Sequence, residues 1–552
     1  MTYTGACNRF DPAEGEHAAT ASATEQPPRS SSPRDRLGRL VRSSIVLRFK
    51  PPKISHGPLP PPTWPEWPDR VGGVKYVPLF SPRPRLRKLQ VMVDIEILER
   101  AAAKDADDVD DLLAGLLHHE LVCLFRYRDG GPPAGEIDKG SSPMPGVPDG
   151  WVVGPKRVPP PETSGRLAVQ YWGCGHGCTT GFNVSSLRVA EADREHNPYH
   201  DLPYESAANQ RALDVVAARS AASTAMDLFI TERPYLYSAD WDAAGDVVIA
   251  APSDALPLVS LYLRAQDRFH VRLAHRGKPG SNINLTRGAF YLTATHELLP
   301  TIWRWFGAGE EHAQATNDES LLYLAAAVFH RVSRALQARD RVHFAVNAPH
   351  TGESGDDALD AIDQMLMLLM GAVDVTARVA YRALGLDATG FAKSWQDKRF
   401  RVAVRTVAPE LADLFHGETP HRLILTNVLA KLRNTIHGPV LPEIRQHESL
   451  RPESIWVGLP GSDAEAILHA IDRLGGRELW GVTESQTGEF QADPGSLADQ
   501  VIIRTVNLLN AVQAETPVER MQGVTAGHAT PDPTDELLGI DGRRRVRLQL
   551  GF

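Results

Sequence analysis

The sequence predicts an α+β multidomain protein, with an N-terminal α+β region followed by an all-α helical bundle. Three observations carry this. The chain has 552 residues, too many for one hydrophobic core and enough for about three domains. Apolar residues alternate at Leu89, Val91, Val93 and Ile95, the period of a half-buried strand. Much later, Leu359, Ile362, Leu366, Leu369, Val373, Ala377 and Ala380 recur at steps of three and four, the period of an amphipathic helix.

In order, residues 1–80 are rich in Pro, Ser, Arg and Glu and poor in apolar residues, the composition of a disordered arm. Trp64 and Trp67 lie within its proline-rich end. They either pin the arm to a groove or sit exposed in a linker. Residues 81–200 read as a small α+β or β-rich domain. It has an apolar stretch over 89–98, a helix through 110–118, and strands over 120–127 and 166–172. A Pro/Gly-rich span, 129–163, lacks periodicity and reads as a long loop.

Residues 201–345 form a mixed α/β region. The pattern is helical over 207–228 and again over 321–336. Val247–Ala250 and Leu258–Leu263 read as strands or buried runs. The apolar run 288–306 contains Pro300.

The bundle occupies 346–515. A long helix starts near Ser354 or Asp356 and stops at Gly385. A shorter one follows around 396–415. A third covers about 420–437, with Leu425, Val428, Leu429, Leu432 and Ile436 as its core stripe and Gly438-Pro439 as its stop. Two more helical runs lie at 463–474 and 496–512. A tail over 516–552 ends in a basic, strand-like segment, Arg543 to Leu550.

Composition narrows the function classes. Hydrophobic residues make up 42% and charged residues 23%, an ordinary globular balance. The net charge of -9 disfavours a broad nucleic-acid-binding surface, so any RNA contact must be local. The four cysteines (Cys7, Cys123, Cys174, Cys178) are too few for a disulfide framework. No apolar run of about 18 residues marks a membrane span, and the N-terminus does not read as a signal peptide. The expected location is cytoplasmic.

The most chemically informative segment is Leu432-Arg433-Asn434-Thr435-Ile436-His437-Gly438. On an α-helix, Arg433 and His437 would share one face, one turn apart. A guanidinium binds phosphate oxygens and an imidazole moves protons near neutral pH. The imidazole could take the proton of a ribose 2′-hydroxyl while the arginine offsets charge in the transition state. The alternative is structural: Arg433 pairs with a carboxylate and His437 serves the helix C-terminus.

This segment, with the long helix before it, resembles the HEPN domain superfamily, all-α bundles whose signature is an arginine, a polar residue and then a histidine. The resemblance covers roughly 80–100 residues. It implies Arg433 and His437 as the catalytic pair, Asn434 as the polar neighbour and a homodimer with two motifs facing one cleft. The family includes metal-independent ribonucleases of defence and toxin systems, and non-catalytic RNA- or nucleotide-binding members. The usual arginine–histidine gap there is wider than the three residues found here. Asp363 and Asp374 are possible supporting carboxylates, and Asp374 could equally pair with Arg378 one turn on.

A second cluster, Cys174-Gly175-His176-Gly177-Cys178, offers two thiols and an imidazole for zinc, with His118, His119 and Cys123 as further ligands. The other reading is a tight turn between strands. His296-Glu297 starts a zinc-protease pattern, but Pro300 replaces its second histidine, leaving a helix start. The basic runs Arg83–Lys88 and Arg543–Arg547 either touch nucleic acid or form salt-bridged faces.

The expected function is RNA cleavage or RNA binding by the bundle, in defence or stress response, with no required cofactor. The alternatives are a non-catalytic dimerisation or ligand-binding bundle, and an N-terminal zinc site that carries the activity.

Overall fold

A computed structural model describes residues 88–552 apart from 104–106, 131–149, 159–165, 174–175, 184–186, 239–246, 276–277, 348–353, 387–391, 438–440, 442, 447–453, 486–487 and 526–537. The arm, with Trp64 and Trp67, and the basic residues Arg83–Arg87 lie outside the described residues.

The first apolar run forms β1 (Leu89–Asp94) and turns directly into α1 (Ile95–Ala101), so the strand stops earlier than its sequence suggested. Helix α2 (Asp108–Leu117) is capped by Asp107, whose side chain accepts from the Asp110 amide. Then come β2 (Val122–Asp129), β3 (Gly150–Gly154), β4 (Arg166–Gly173) and β5 (His176–Asn183). Helices α3 (Leu187–Ala192) and α4 (Tyr204–Ser223) lead to β6 (Leu228–Ile230), β7 (Val248–Ala250) and α5 (Pro252–Ala265).

These strands build one sheet in the order β5-β4-β3-β2-β1-β6-β7. Strands β3, β2, β1, β6 and β7 run parallel, and β4 and β5 are antiparallel. The sheet draws strands from both sides of residue 200, so the stretches expected at 81–200 and 201–345 share it. Strand β3 lies inside the span read as a loop. Five residues are too short for periodicity, and pairing with the distant β2 makes them a strand.

Leu89, Val91 and Val93 pack with Leu112 and Leu116 of α2 and with Leu256 and Val259 of α5. Met92, Phe125, Tyr127 and Val152 pack on Ala217, Ala218 and Ala221 of α4. Helices therefore cover both faces, which explains the nearly continuous apolar strands.

The Leu258–Leu263 run, read as a strand or buried run, is helical. Pro252 sits in the first turn of α5, where its missing N–H has no helical partner to lose. Strands β8 (Phe269–His275) and β9 (Lys278–Leu285) pair as a separate hairpin. Pro300 splits the next apolar run into α6 (Arg287–Leu298) and α7 (Ile302–Thr316). His296-Glu297 therefore closes a helix rather than opening one.

Helices α8 (Ser320–Asn347) and α9 (Ser354–Ala383) pack side by side. Gly385, at φ 58°, ends the second by entering the left-handed region. The helix expected around 396–415 is broken at Ala408-Pro409 into α10 (Lys398–Val407) and α11 (Pro409–Asp413). The segment expected as one helix over 420–437 changes its winding along its length. It comprises α12 (Pro420–Arg422), a π-helical stretch (Leu423–Leu429), α13 (Ala430–Asn434) and a 3-10 turn (Thr435–His437).

Strands β10 (Glu443–Gln446), β11 (Ser454–Gly458), β12 (Val482–Glu484) and β13 (Phe490–Ala492) form a small antiparallel sheet, ordered β10-β11-β13-β12. Helices α14 (Ala464–Arg473) and α15 (Pro494–Glu515) occupy the two expected positions. The region is mostly helical but not all-α as predicted. Its short strands are too brief to show a period of two.

The basic C-terminus is also corrected. It is helix α16 (Gly539–Gln549), not a strand. Val546 and Leu550, four apart, are buried. Arg545 pairs with Asp108 at 3.0 Å and Asp111 at 2.6 Å, so part of this basic run is a salt-bridged face.

A buried ionic joint ties the α/β part to the long helices. Arg264 on α5 bonds Asp340 on α8 at 2.6 Å, and the Tyr291 hydroxyl donates to the same carboxylate at 2.5 Å. Arg339 and His343 meet Asp499 of α15. Among the described residues, no helix is long and apolar enough to cross a membrane.

Candidate functional site

Arg433 and Asn434 occupy the last turn of α13, with Asn434 exposed and Arg433 half-buried. Arg433 Nη1 donates to Asn434 Oδ1 at 3.4 Å. Leu425, Val428, Leu429 and Leu432, four residues of the stripe the sequence indicated, are buried, while its fifth, Ile436, is only partly so. The π-helical stretch was not foreseen. The Ala430 amide reaches back five residues to the Leu425 carbonyl, and such turns recur at functional sites.

His437 belongs to the 3-10 turn, and its side chain lies outside the described residues. A 3-10 turn winds about 120° per residue, against about 100° in an α-helix. His437 Cα therefore stands about a quarter turn around from Arg433 Cα, where an unbroken α-helix would leave about 40°. The shared-face expectation assumed uniform winding, and the helix end tightens instead.

Of the two carboxylates suggested for support, Asp374 is the one near the motif. Burial pushes its carboxyl above the usual range. A Ser394 hydrogen bond and the charges of Arg433, Arg378 and Arg331 pull it back. The charges of three guanidiniums, from α13, α9 and α8, thus act on a single half-buried carboxylate. Arg378 is exposed, and Arg331 and Arg433 are partly so. Asp363 is about 16 Å farther along α9, at 1.5 Å per residue. Burial and Asp360 raise its carboxyl.

Cys174 lies outside the described residues, as do the side chains of His176 and Cys178. The backbone pairs Gly173 of β4 with His176 of β5. Cys123 sits on β2, three strands from β5, about 14 Å at normal strand spacing. It therefore cannot complete a site with Cys178. His118 bonds the Ala114 carbonyl, and His119 pairs with His270.

Sequence reasoning missed a second polar cluster, at the carboxyl ends of the parallel strands. Asp94 ends β1, Asp129 ends β2, Thr231 and Arg233 follow β6, and Asp214 rises from α4. Arg233 lies at the centre. Its Nε and Nη2 meet Asp94 at 3.1–3.2 Å, Nη2 meets Asp129 at 3.0 Å and Nη1 meets Asp214 at 3.3 Å. Each carboxylate has a second donor: Thr231 for Asp94, Tyr127 for Asp129 and Tyr199 for Asp214. Gly154 approaches so closely that a Cβ there would lie 2.2 Å from the Tyr127 hydroxyl.

Burial raises the Asp94 carboxyl despite Arg233, and it pushes Asp214 up to about 6. Burial opposes the charge on Arg233, but Asp94 and Asp129 outweigh it and hold the guanidinium protonated. The strand order reverses between β1 and β6, where open α/β sheets place their ligands. The one available signal was a polar residue directly after an apolar strand, at Val93-Asp94 and Ile230-Thr231.

Among the described residues, no three His, Cys, Asp or Glu side chains are grouped to hold a metal ion. No family model, curated protein or solved structure matches the chain.

Proposed function

We propose that the helical C-terminal region binds RNA and cleaves it without a metal ion, at the winding that ends in Arg433, Asn434 and His437. One observation supports the reading: the charges of Arg331, Arg378 and Arg433 all act on Asp374, three cations against one carboxylate. Such a local excess suits phosphate binding on a chain of net charge -9. In this reading Arg433 holds a phosphate and His437 takes the proton of the adjacent 2′-hydroxyl. The resemblance to HEPN domains further implies two copies sharing one cleft, which light scattering tests directly.

The deciding assay incubates the purified chain with RNA, with and without EDTA. Cleavage in both, lost in His437→Ala, supports an enzyme. RNA binding without cleavage reduces the reading to a binding module. Absence of both sinks it. A second reading places the activity at the Asp94, Asp129, Asp214 and Arg233 cluster, favoured by its position at the strand-order reversal. Activity lost in Asp129→Asn and kept in His437→Ala would assign it there.

A further inference from the structure

His119 lies in the turn between α2 and β2, and His270 lies on β8. Their Nε2 atoms are 2.8 Å apart. The Leu121 amide donates to His119 Nδ1 at 3.0 Å, which fixes the tautomers. Nδ1 of His119 carries no hydrogen, so its Nε2–H donates to His270 Nε2, and His270 keeps its hydrogen on Nδ1. A proton added to His119 must enter at Nδ1, against the Leu121 amide. A proton added to His270 must enter at Nε2, against the His119 N–H. Either addition breaks a hydrogen bond, so the pair holds only while both rings are neutral. The same tautomer argues against a metal bridging the two Nε2 atoms. Ligation would need a hydrogen on His119 Nδ1, facing another N–H.

We propose that His119 and His270 form an acid-sensitive latch, which holds the β8–β9 hairpin on the α2–β2 corner and releases it on acidification. The hairpin is a suitable moving part. Among the described residues it has two strands and joins neither other sheet, and two-stranded hairpins are marginal alone. Its remaining ties to the fold include Arg272 with Asp111 at 2.8 Å, Arg545 on the Arg272 carbonyl at 3.2 Å, and Phe269 against Phe290 and Tyr291.

The charged surroundings do not favour a protonated pair. Glu120 is paired with Arg268 at 3.5 Å, and the neighbouring His118 ring is turned to the Ala114 carbonyl. Burial, His270 and Arg268 push His119 down to about 4. Burial and Arg268 lower His270, with Glu120 opposing. A ring that titrates at about 4 when closed and at about 6.5 when open favours opening about 30-fold more at pH 5 than at pH 7.5.

Amide hydrogen exchange on the full chain tests this, corrected for the intrinsic effect of pH. Between pH 7.5 and 5, protection over 269–275 and 278–285 should fall about 30-fold relative to α8 and α9. In H119Q/H270Q, whose amides hydrogen-bond without titrating, that fall should vanish. Imidazole resonances of the unmodified protein give a readout that needs no variant: the His119 ring should stay neutral at pH 5.5. Hairpin protection that tracks α8 and α9, a fall retained in the double variant, or a His119 ring that titrates near 6.5 would overturn the latch.

Discussion

Replacing Arg233 with methionine removes the one cation that, among the described residues, pairs with Asp94, Asp129 and Asp214, while keeping much of the side-chain volume. The arginine makes three of its contacts with Asp94 and one each with Asp129 and Asp214. Asp214 is fully buried, Asp94 is 8% exposed and Asp129 is 25% exposed at the side chain. Stranding buried charge in this way costs about 3–5 kcal/mol, most of it from Asp94 and Asp214.

The loss must depend on pH. Asp214 already sits at about 6 with the arginine present. Its share of stability is whole below the unfolded value of 3.8 and is lost as pH rises through about 6. That rise amounts to about 3 kcal/mol. Without the cation, the carboxyls bind protons at still higher pH. Arg233→Met should therefore be much less stable than the natural chain at pH 7.5, and the gap should narrow by pH 5. Asp214→Asn should flatten the pH dependence of the natural chain between pH 4 and 7. Urea unfolding across that range, read by exchange in β1, β2 and β6, measures both. A methionine variant as stable as the parent at pH 7.5, or one with a gap independent of pH, would refute the coupled cluster.

Gly154→Ala should lower the melting temperature, because its Cβ would overlap the Tyr127 hydroxyl. Overpacking of this kind costs about 1–3 kcal/mol, and adding Tyr127→Phe should recover part of it. Asp340→Ala strands the buried Arg264 guanidinium and should cost about 3–5 kcal/mol in chemical denaturation. Arg433→Ala should weaken RNA binding about equally across sequences and lower the salt slope by about one. Fluorescence anisotropy at several salt concentrations gives both numbers.

Long, regular segments were legible in the sequence. The three- and four-residue steps behind α8, α9, α14 and α15 bury one face each, and local periodicity records that burial. The strand at Leu89 was read correctly, but its end at Asp94 was not, because apolar residues continue into α1. Leu258–Leu263 was ambiguous because a short apolar run suits a buried strand or a helix equally. Strand β3 and the small antiparallel sheet are too brief to carry a period. The winding of 423–437 was also hidden, since α, π and 3-10 turns share similar apolar spacing over so few residues.

By itself, the chain determined where long helices form and where Pro300 and Gly385 end them. Those are local properties, set by side-chain spacing and backbone stereochemistry. Only tertiary structure decided that β1, β2 and β6 run parallel, and hence that Asp94, Asp129, Asp214 and Arg233 meet. Nothing near any one of them in sequence announces the others. A guanidinium is drawn to carboxylates through space, and strand order alone brings those carboxylates within its reach.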